Sequence, residues 1–150
     1  MDHVVLLAHL LGFVLWLGGA VAGMVIAAAA RGGGADGDTT VTRLQAALTT
    51  KLVAPGAVLV LASGLYLTMS RYPGEAMAQA SAWLFVMQAT GVIGSLLVLL
   101  VSLPTALKIS RLPDGSSSTA LSLMLRRRLA IIGSFAGTLG FVALLAGALV

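Results

Sequence analysis

The sequence predicts an all-α integral membrane protein, an antiparallel bundle of four spanning helices with both termini on the periplasmic side. Three observations carry that expectation. The chain is 59% hydrophobic and only 9% charged, against roughly 25% charged residues in an average soluble domain. Its apolar residues fall into four long runs separated by short Gly-, Pro- and Asp-containing stretches. Nearly all its basic residues flank the same two loops. The spans predicted from the runs are about 4–30, 40–70, 81–109 and 119–149, within a single transmembrane domain covering 1–150.

The first run, Val4 to Ala30, carries no charge apart from His9. As a helix it is about 40 Å long against roughly 30 Å of hydrocarbon, enough to span with tilt. A signal peptide is the rival reading, because Ala27 to Ala30 resemble a cleavage site. The preceding Met1-Asp2-His3 has no Lys or Arg, and the run is about twice the length of a signal-peptide core. The run is therefore read as a retained first helix. On it His9, Gly12, Trp16, Gly19 and Gly23 share a wedge of roughly 80°. One ionisable ring thus lies on the same face as the small residues that let helices approach.

Arg31 to Thr40 reads as a loop, with Asp38 or Thr39 as N-cap of the second helix. That helix begins amphipathically and is apolar from Leu52 to Met69. Pro55 removes a backbone hydrogen bond, predicting a kink that frees the carbonyl of Lys51. Arg71 to Ala80 holds the Pro73-Gly74 turn. The third helix starts near Ser81, with Trp83 close behind. Gln88, Gly91, Ser95 and Ser102 fall on one face suited to inward packing, and Pro104 bends the last turns. Arg111 to Ser118 is the third loop. The fourth helix carries Arg126-Arg127-Arg128, then an apolar stretch with a stripe of Gly133, Gly137, Gly140 and Gly147. The Gly19/Gly23 and Gly133/Gly137 spacings suit close packing, within the bundle or in a homodimer. The two halves of the chain share this order of features and form a weak repeat of a helical hairpin.

Arg31, Arg43, Lys51, Lys108, Arg111, Arg126, Arg127 and Arg128 belong to the side of loops 1 and 3, and Arg71 alone to the other. The positive-inside rule places those loops in the cytoplasm of a bacterial inner membrane. Trp83, Tyr66 and Tyr72 then sit near the outer interface. The net charge of +4 is read as attraction to anionic lipid headgroups, with nucleic acid excluded as a partner. The absence of cysteine excludes disulfides, thiolate metal sites, iron–sulfur clusters and covalently attached haem.

Counting turns from the outer ends brings His9, Tyr66, Met69, Met87 and Gln88 to a similar depth. A His/Met pair is a familiar set of axial ligands for b-type haem between facing helices. His9 is equally open to an interhelical hydrogen bond, interfacial water or an acid–base role. At the N-terminus the free amine and His3 have the spacing of a square-planar Cu(II) or Ni(II) chelate, and His9 is the other histidine available to a metal. Arg43, Lys51, Arg126, Arg127 and Arg128 set topology and bind lipid phosphate, or form an anion or substrate site for porphyrin carboxylates or a phosphate. No nucleotide-binding, hydrolase or zincin motif is present. No Asp or Glu lies within a span, which argues against a proton-coupled exporter.

His9 followed by Trp16-Leu17-Gly18-Gly19, then Lys51-Leu-Val-Ala-Pro-Gly56 and Ser63-Gly64-Leu65-Tyr66-Leu67, resembles a group of small bacterial four-helix membrane proteins. Ser81-Ala82-Trp83-Leu84 and the basic start of the fourth helix complete the resemblance. The group includes an uncharacterised integral membrane family and, more distantly, the copper-resistance CopD domain and the HemJ-type protoporphyrinogen oxidases. The resemblance implies haem b at His9. HemJ-type first helices continue past the tryptophan into a Pro-Arg pair and a further histidine, where this chain has Gly23 to Ala30, so only His9 carries over. The resulting expectation is a b-type haem-binding, electron-transfer protein that is not an enzyme. The alternatives are a HemJ-like porphyrinogen oxidase, a non-catalytic accessory subunit of a larger membrane complex, and copper handling through His3, His9, Met69 and Met77.

Overall fold

The computed structural model describes residues 2–29, 35–73, 81–112 and 120–149. Its elements are α1 (Asp2–Ala29), α2 (Ala35–Leu48), a π-helical turn (Thr49–Val53), α3 (Ala54–Arg71), α4 (Ala82–Leu97), a second π-helical turn (Val98–Ser102), α5 (Leu103–Ser110) and α6 (Ala120–Gly147). There is no strand among the described residues. Four stretches are long and apolar enough to cross a membrane: His3–Ala28, Thr40–Arg71, Ala82–Ser110 and Ala120–Gly147. The chain is a multi-pass, four-helix membrane bundle.

The two prolines inside spans do something other than simply kink the helix. Ahead of Pro55, the N–H of Ala54 bonds to the carbonyl of Thr49, five residues back. Ahead of Pro104, the N–H of Leu103 bonds to Val98 in the same way. A proline has no N–H to close the preceding turn, so the ladder widens to π spacing and restarts, with the proline in the first turn of the new helix. Pro55 and Pro104 both occupy that early position in α3 and α5. The second and third spans therefore each contain one π-turn just before a proline.

Local chemistry sets most ends. Ser81 caps α4 with extended backbone, its hydroxyl accepting from Leu84 N–H at 3.3 Å. Tyr72 N–H closes the end of α3 on Thr68 at 2.9 Å, and Pro73 follows. One expected end is corrected: α2 begins at Ala35, so Asp38 and Thr39 lie inside the helix and not at its cap.

The distribution of side chains is that of a bundle surrounded by lipid. Leu100, Met124, Phe135 and Val14 are among many large apolar side chains left exposed. The buried layer is built instead from Ala54, Ala57, Ala106, Ala136, Ala143, Ser95 and Ser102 around a few large residues. Where lipid is as apolar as leucine, close backbone approach and dispersion drive helix association. The tightest approach is between α1 and α3. A Cβ placed on Gly56 would lie 2.6 Å from the backbone nitrogen of Trp16 and 2.7 Å from the carbonyl oxygen of Gly12. On the other side, a Cβ on Gly12 would lie 2.9 Å from the backbone nitrogen of Val60. Along this seam His9 meets Ser63, Gly12 meets Val60, Gly19 meets Val53 and Gly23 meets Gln45. Numbers rise along α1 as they fall along its partner.

Trp16 is fully buried and fills the centre. Its ring lies where Cβ atoms on Gly94 and Gly140 would come within 2.8 and 3.3 Å. Phe13 stacks beside it at 6.2 Å between centroids. The glycine stripes expected to pack closely are thus split. Gly19 and Gly140 are tight, and Gly137 is in ordinary contact with Ala20, whereas a methyl added to Gly23 or Gly133 would meet no atom within 4 Å.

Replacing Gly56 with alanine forces two backbones apart and should cost about 1–3 kcal/mol or more. Gly18, which has open space around it, should accept alanine within about 1 kcal/mol of wild type. Unfolding of the two variants in detergent by circular dichroism distinguishes them. Equal stabilities would remove Gly56 as the closure point of the bundle.

Candidate functional site

The site begins at His9, one turn of α1 before Phe13 and half-exposed at the edge of the seam with α3. Its Nδ1 lies 2.9 Å from Ser63 Oγ. Ser63 in turn donates its hydroxyl hydrogen to the carbonyl of Leu59. A serine has one hydrogen to give, so Ser63 Oγ accepts from His9 and the proton of the neutral ring is assigned to Nδ1. Nε2 then keeps its lone pair. A ligating imidazole is held the same way, with one nitrogen anchored as a donor and the other left basic.

Sterics fix the ring as firmly as the hydrogen bond does. Phe13 meets it edge to face at 5.1 Å and 89°. A Cβ on Gly64 would be 2.9 Å from His9 Cε1, so any larger residue there would push the imidazole away. Opposite lies a second polar chain: Gln88 Nε2 donates to Thr68 Oγ1 at 2.7 Å, and Thr68 Oγ1 donates to Gly64 O at 2.9 Å. This chain ties α4 to α3 just beyond the histidine. Between the two chains is a cavity of 290 Å³, lined by His9, Phe13, Thr68, Met87, Gln88 and neighbouring apolar residues.

Of the residues expected to converge, His9, Met87 and Gln88 line this cavity. Tyr66 and Met69 are 46% and 68% exposed and do not line it. Gly64, Thr68 and Phe13, which also line it, and Ser63, which bonds to His9 without lining it, were not among the residues expected from the sequence. The Ser-Gly pair and a threonine one helical turn past the glycine were the available signal, once α1 and α3 are set side by side. His3 is exposed, and Met1 and Met77 lie outside the described residues. Among the described residues no group of three or more His, Cys, Asp or Glu side chains could hold a metal ion.

The basic residues do not gather on this cavity. Arg43 reaches across to the carbonyl of Leu112 at 3.5 Å, linking α2 to the end of α5. Lys51 is exposed on the first π-turn; Arg126 is half-buried and Arg127 and Arg128 are exposed on α6. Arg31 lies outside the described residues.

The cavity bears directly on haem. Its donor chemistry suits a metal, since an anchored imidazole and a thioether border the same space. Its size does not suit a porphyrin, because 290 Å³ falls at the bottom of the roughly 300–1,000 Å³ range of small-ligand pockets.

The hydrogen bond between His9 and Ser63 should be worth about 0.5–1.5 kcal/mol in the folded bundle. A double-mutant cycle with His9→Ala and Ser63→Ala, read by unfolding in detergent, should return a coupling energy of that size. Additive effects of the two substitutions would show that the contact does not hold α1 to α3.

No family model, curated protein or solved structure matches the chain.

Proposed function

We propose that this chain is a non-catalytic ligand-binding protein of a bacterial inner membrane, with His9 Nε2 as electron-pair donor and electron transfer as its use. The observation that carries the reading is the contact between His9 Nδ1 and Ser63 Oγ: with the ring proton assigned to Nδ1, it orients the ring and leaves the second nitrogen basic. An ionisable residue kept inside a span is costly and marks function. The proposal keeps the orientation argued from the basic residues, with loops 1 and 3 cytoplasmic and both termini periplasmic, so that His9 lies in the outer half of the membrane. The exposed Lys51, Arg127 and Arg128 then meet anionic headgroups on the opposite side.

Haem b is the group to test first, because a single imidazole with a nearby methionine is an axial ligand set used in electron transfer. The cavity at His9 is too small to enclose it. When bound, a haem would supply a one-electron couple; the chain's own contribution is to position the imidazole and to keep its proton on Nδ1.

The test is the absorption spectrum of protein purified in mild detergent from haem-replete cells. A Soret band is expected, lost in His9→Ala and kept in Met69→Leu, whose side chain does not line the site. Colourless wild-type protein, or a band that survives His9→Ala, would overturn haem binding at this residue.

A further inference from the structure

The hydrogens around His9 can be counted, and the count leaves acceptors over. Ser63 gives its one hydrogen to Leu59 and accepts from His9 Nδ1. Thr68 gives its one hydrogen to the carbonyl of Gly64, so its oxygen must accept from Gln88. That assigns the amide: Nε2 of Gln88 faces Thr68, and Oε1 faces away from it. The hydroxyl hydrogens of Ser63 and Thr68 are thus both spent inside the protein.

Two acceptors are left. His9 lines the 290 Å³ cavity and Ser63 does not, so Nδ1 turns toward the seam and Nε2 is the ring nitrogen left for the cavity. Gln88 lines the same space. Among the described residues neither Nε2 of His9 nor Oε1 of Gln88 has a hydrogen-bond partner. The unpartnered side-chain atoms that are sealed off are others, Trp16 Nε1 and the hydroxyls of Ser95 and Ser102. Both acceptors at the His9 cavity therefore keep accessible surface. A second cavity, of 450 Å³ beside the two π-turns, differs in this respect: the unpartnered Ser102 hydroxyl at its wall is out of a ligand's reach.

The two open acceptors select what can enter. An anion would face lone pairs, and a cation would find no carboxylate, since no Asp or Glu lines the space. An aliphatic chain would fill volume and leave both acceptors unpaired. What the cavity lacks is a hydrogen-bond donor on an uncharged body. Phe13 and Met87 on the wall favour an aromatic body, because rings pack edge to face and thioethers pack at ring edges. A phenolic O–H is uncharged at neutral pH and donates more strongly than an aliphatic alcohol. An apolar cavity of about 150 Å³ takes benzene, so one of 290 Å³ has room for two fused rings.

We propose that the cavity at His9 binds an uncharged phenol of one or two rings, whose hydroxyl donates to His9 Nε2. This ligand class rests on the reading of Nε2 as an electron-pair donor and requires no haem. Nε2 has one lone pair, so a phenol and a haem iron would compete for it.

The experiment uses the full chain in nanodiscs, with 1-naphthol, 1-methoxynaphthalene and naphthalene as probes in titration calorimetry, empty nanodiscs subtracted. 1-Naphthol should bind saturably and about three- to tenfold more tightly than the other two, the ratio expected of one neutral hydrogen bond. The methoxy compound keeps the rings and the oxygen but loses the donor, so it tests the hydrogen bond on wild-type protein even where a variant fails to fold. His9→Ala should remove the preference for 1-naphthol over 1-methoxynaphthalene. The proposal is overturned if no probe binds saturably, if the preference survives His9→Ala, or if the two oxygen-bearing probes bind wild type equally, as when water alone serves the acceptors. The absorption spectrum separates this result from the haem reading. Colourless protein that prefers 1-naphthol loses haem and keeps the phenol; protein with a Soret band and no such preference keeps haem and loses the phenol.

Discussion

The contact on which the bundle depends is the backbone approach of α1 to α3 at Gly12 and Gly56. Glycine there is a steric requirement, since any Cβ on Gly56 would overlap main-chain atoms of α1, which unlike a side chain have no rotamer to escape into. That closeness makes room for Trp16, the largest side chain in the centre, to be covered by Gly94 and Gly140 of the third and fourth spans. One small residue on each facing helix thus allows one large residue to fill the middle. In lipid, where expelling water supplies little between helices, such shape complementarity is the main source of association. Its cost is visible at the indole: among the described residues Trp16 Nε1 has no partner, and neither does the buried Ser95 hydroxyl. Each such group is worth about 1–3 kcal/mol against the fold, which dispersion around the ring must offset.

The same contact sets the site. With Gly12 locked over Val60, one turn earlier on α1 places His9 over Ser63 and Gly64. A slip of one residue would set Nδ1 against Ala62 or Gly64 in place of Ser63, neither of which offers a side-chain hydrogen-bond acceptor. The tautomer assigned to His9 is therefore a consequence of helix register, and register is a consequence of two glycines. Phe13, stacked on Trp16 and edge-on to His9, connects the packed centre to the polar edge through one continuous run of rings.

Much of this was legible in the residues. The four spans follow from hydropathy, and the face of Gln88, Gly91, Ser95 and Ser102 was expected to turn inward; the last three are buried and Gln88 is bonded to Thr68. The membership of the His9 site was less legible, because depth along a helix and direction around it are separate quantities. Met69 has the right depth, but it follows Thr68, which faces inward, and adjacent helical residues differ by about 100°. A thioether one position away from the right face is no nearer to the imidazole than one a turn away. The π-turns were also out of reach of ideal-helix counting: a proline announces a break in the ladder, but not whether the chain answers with a bend or with a wider turn. Gly23 and Gly133 show the same limit. Spacing alone cannot tell a glycine that admits a neighbour from one that leaves a space.

That distinction divides the molecule into two unlike halves. At the His9 end, the polar side chains are partnered in short chains, His9 to Ser63 to Leu59 and Gln88 to Thr68 to Gly64, and the cavity between them is small. At the π-turn end the cavity is larger, two glycines stand open and a serine is left without an acceptor among the described residues. A chain selected only for stability would close that space, since each methyl-sized void costs on the order of 1 kcal/mol and alanine at either glycine would also favour the helix. Alanine meets no obstacle at Gly23 or Gly133, whereas it would collide at Gly56. The sequence therefore uses one residue type in two opposite settings: at Gly56 where two backbones touch, and at Gly23 and Gly133 where space is left beside the helix.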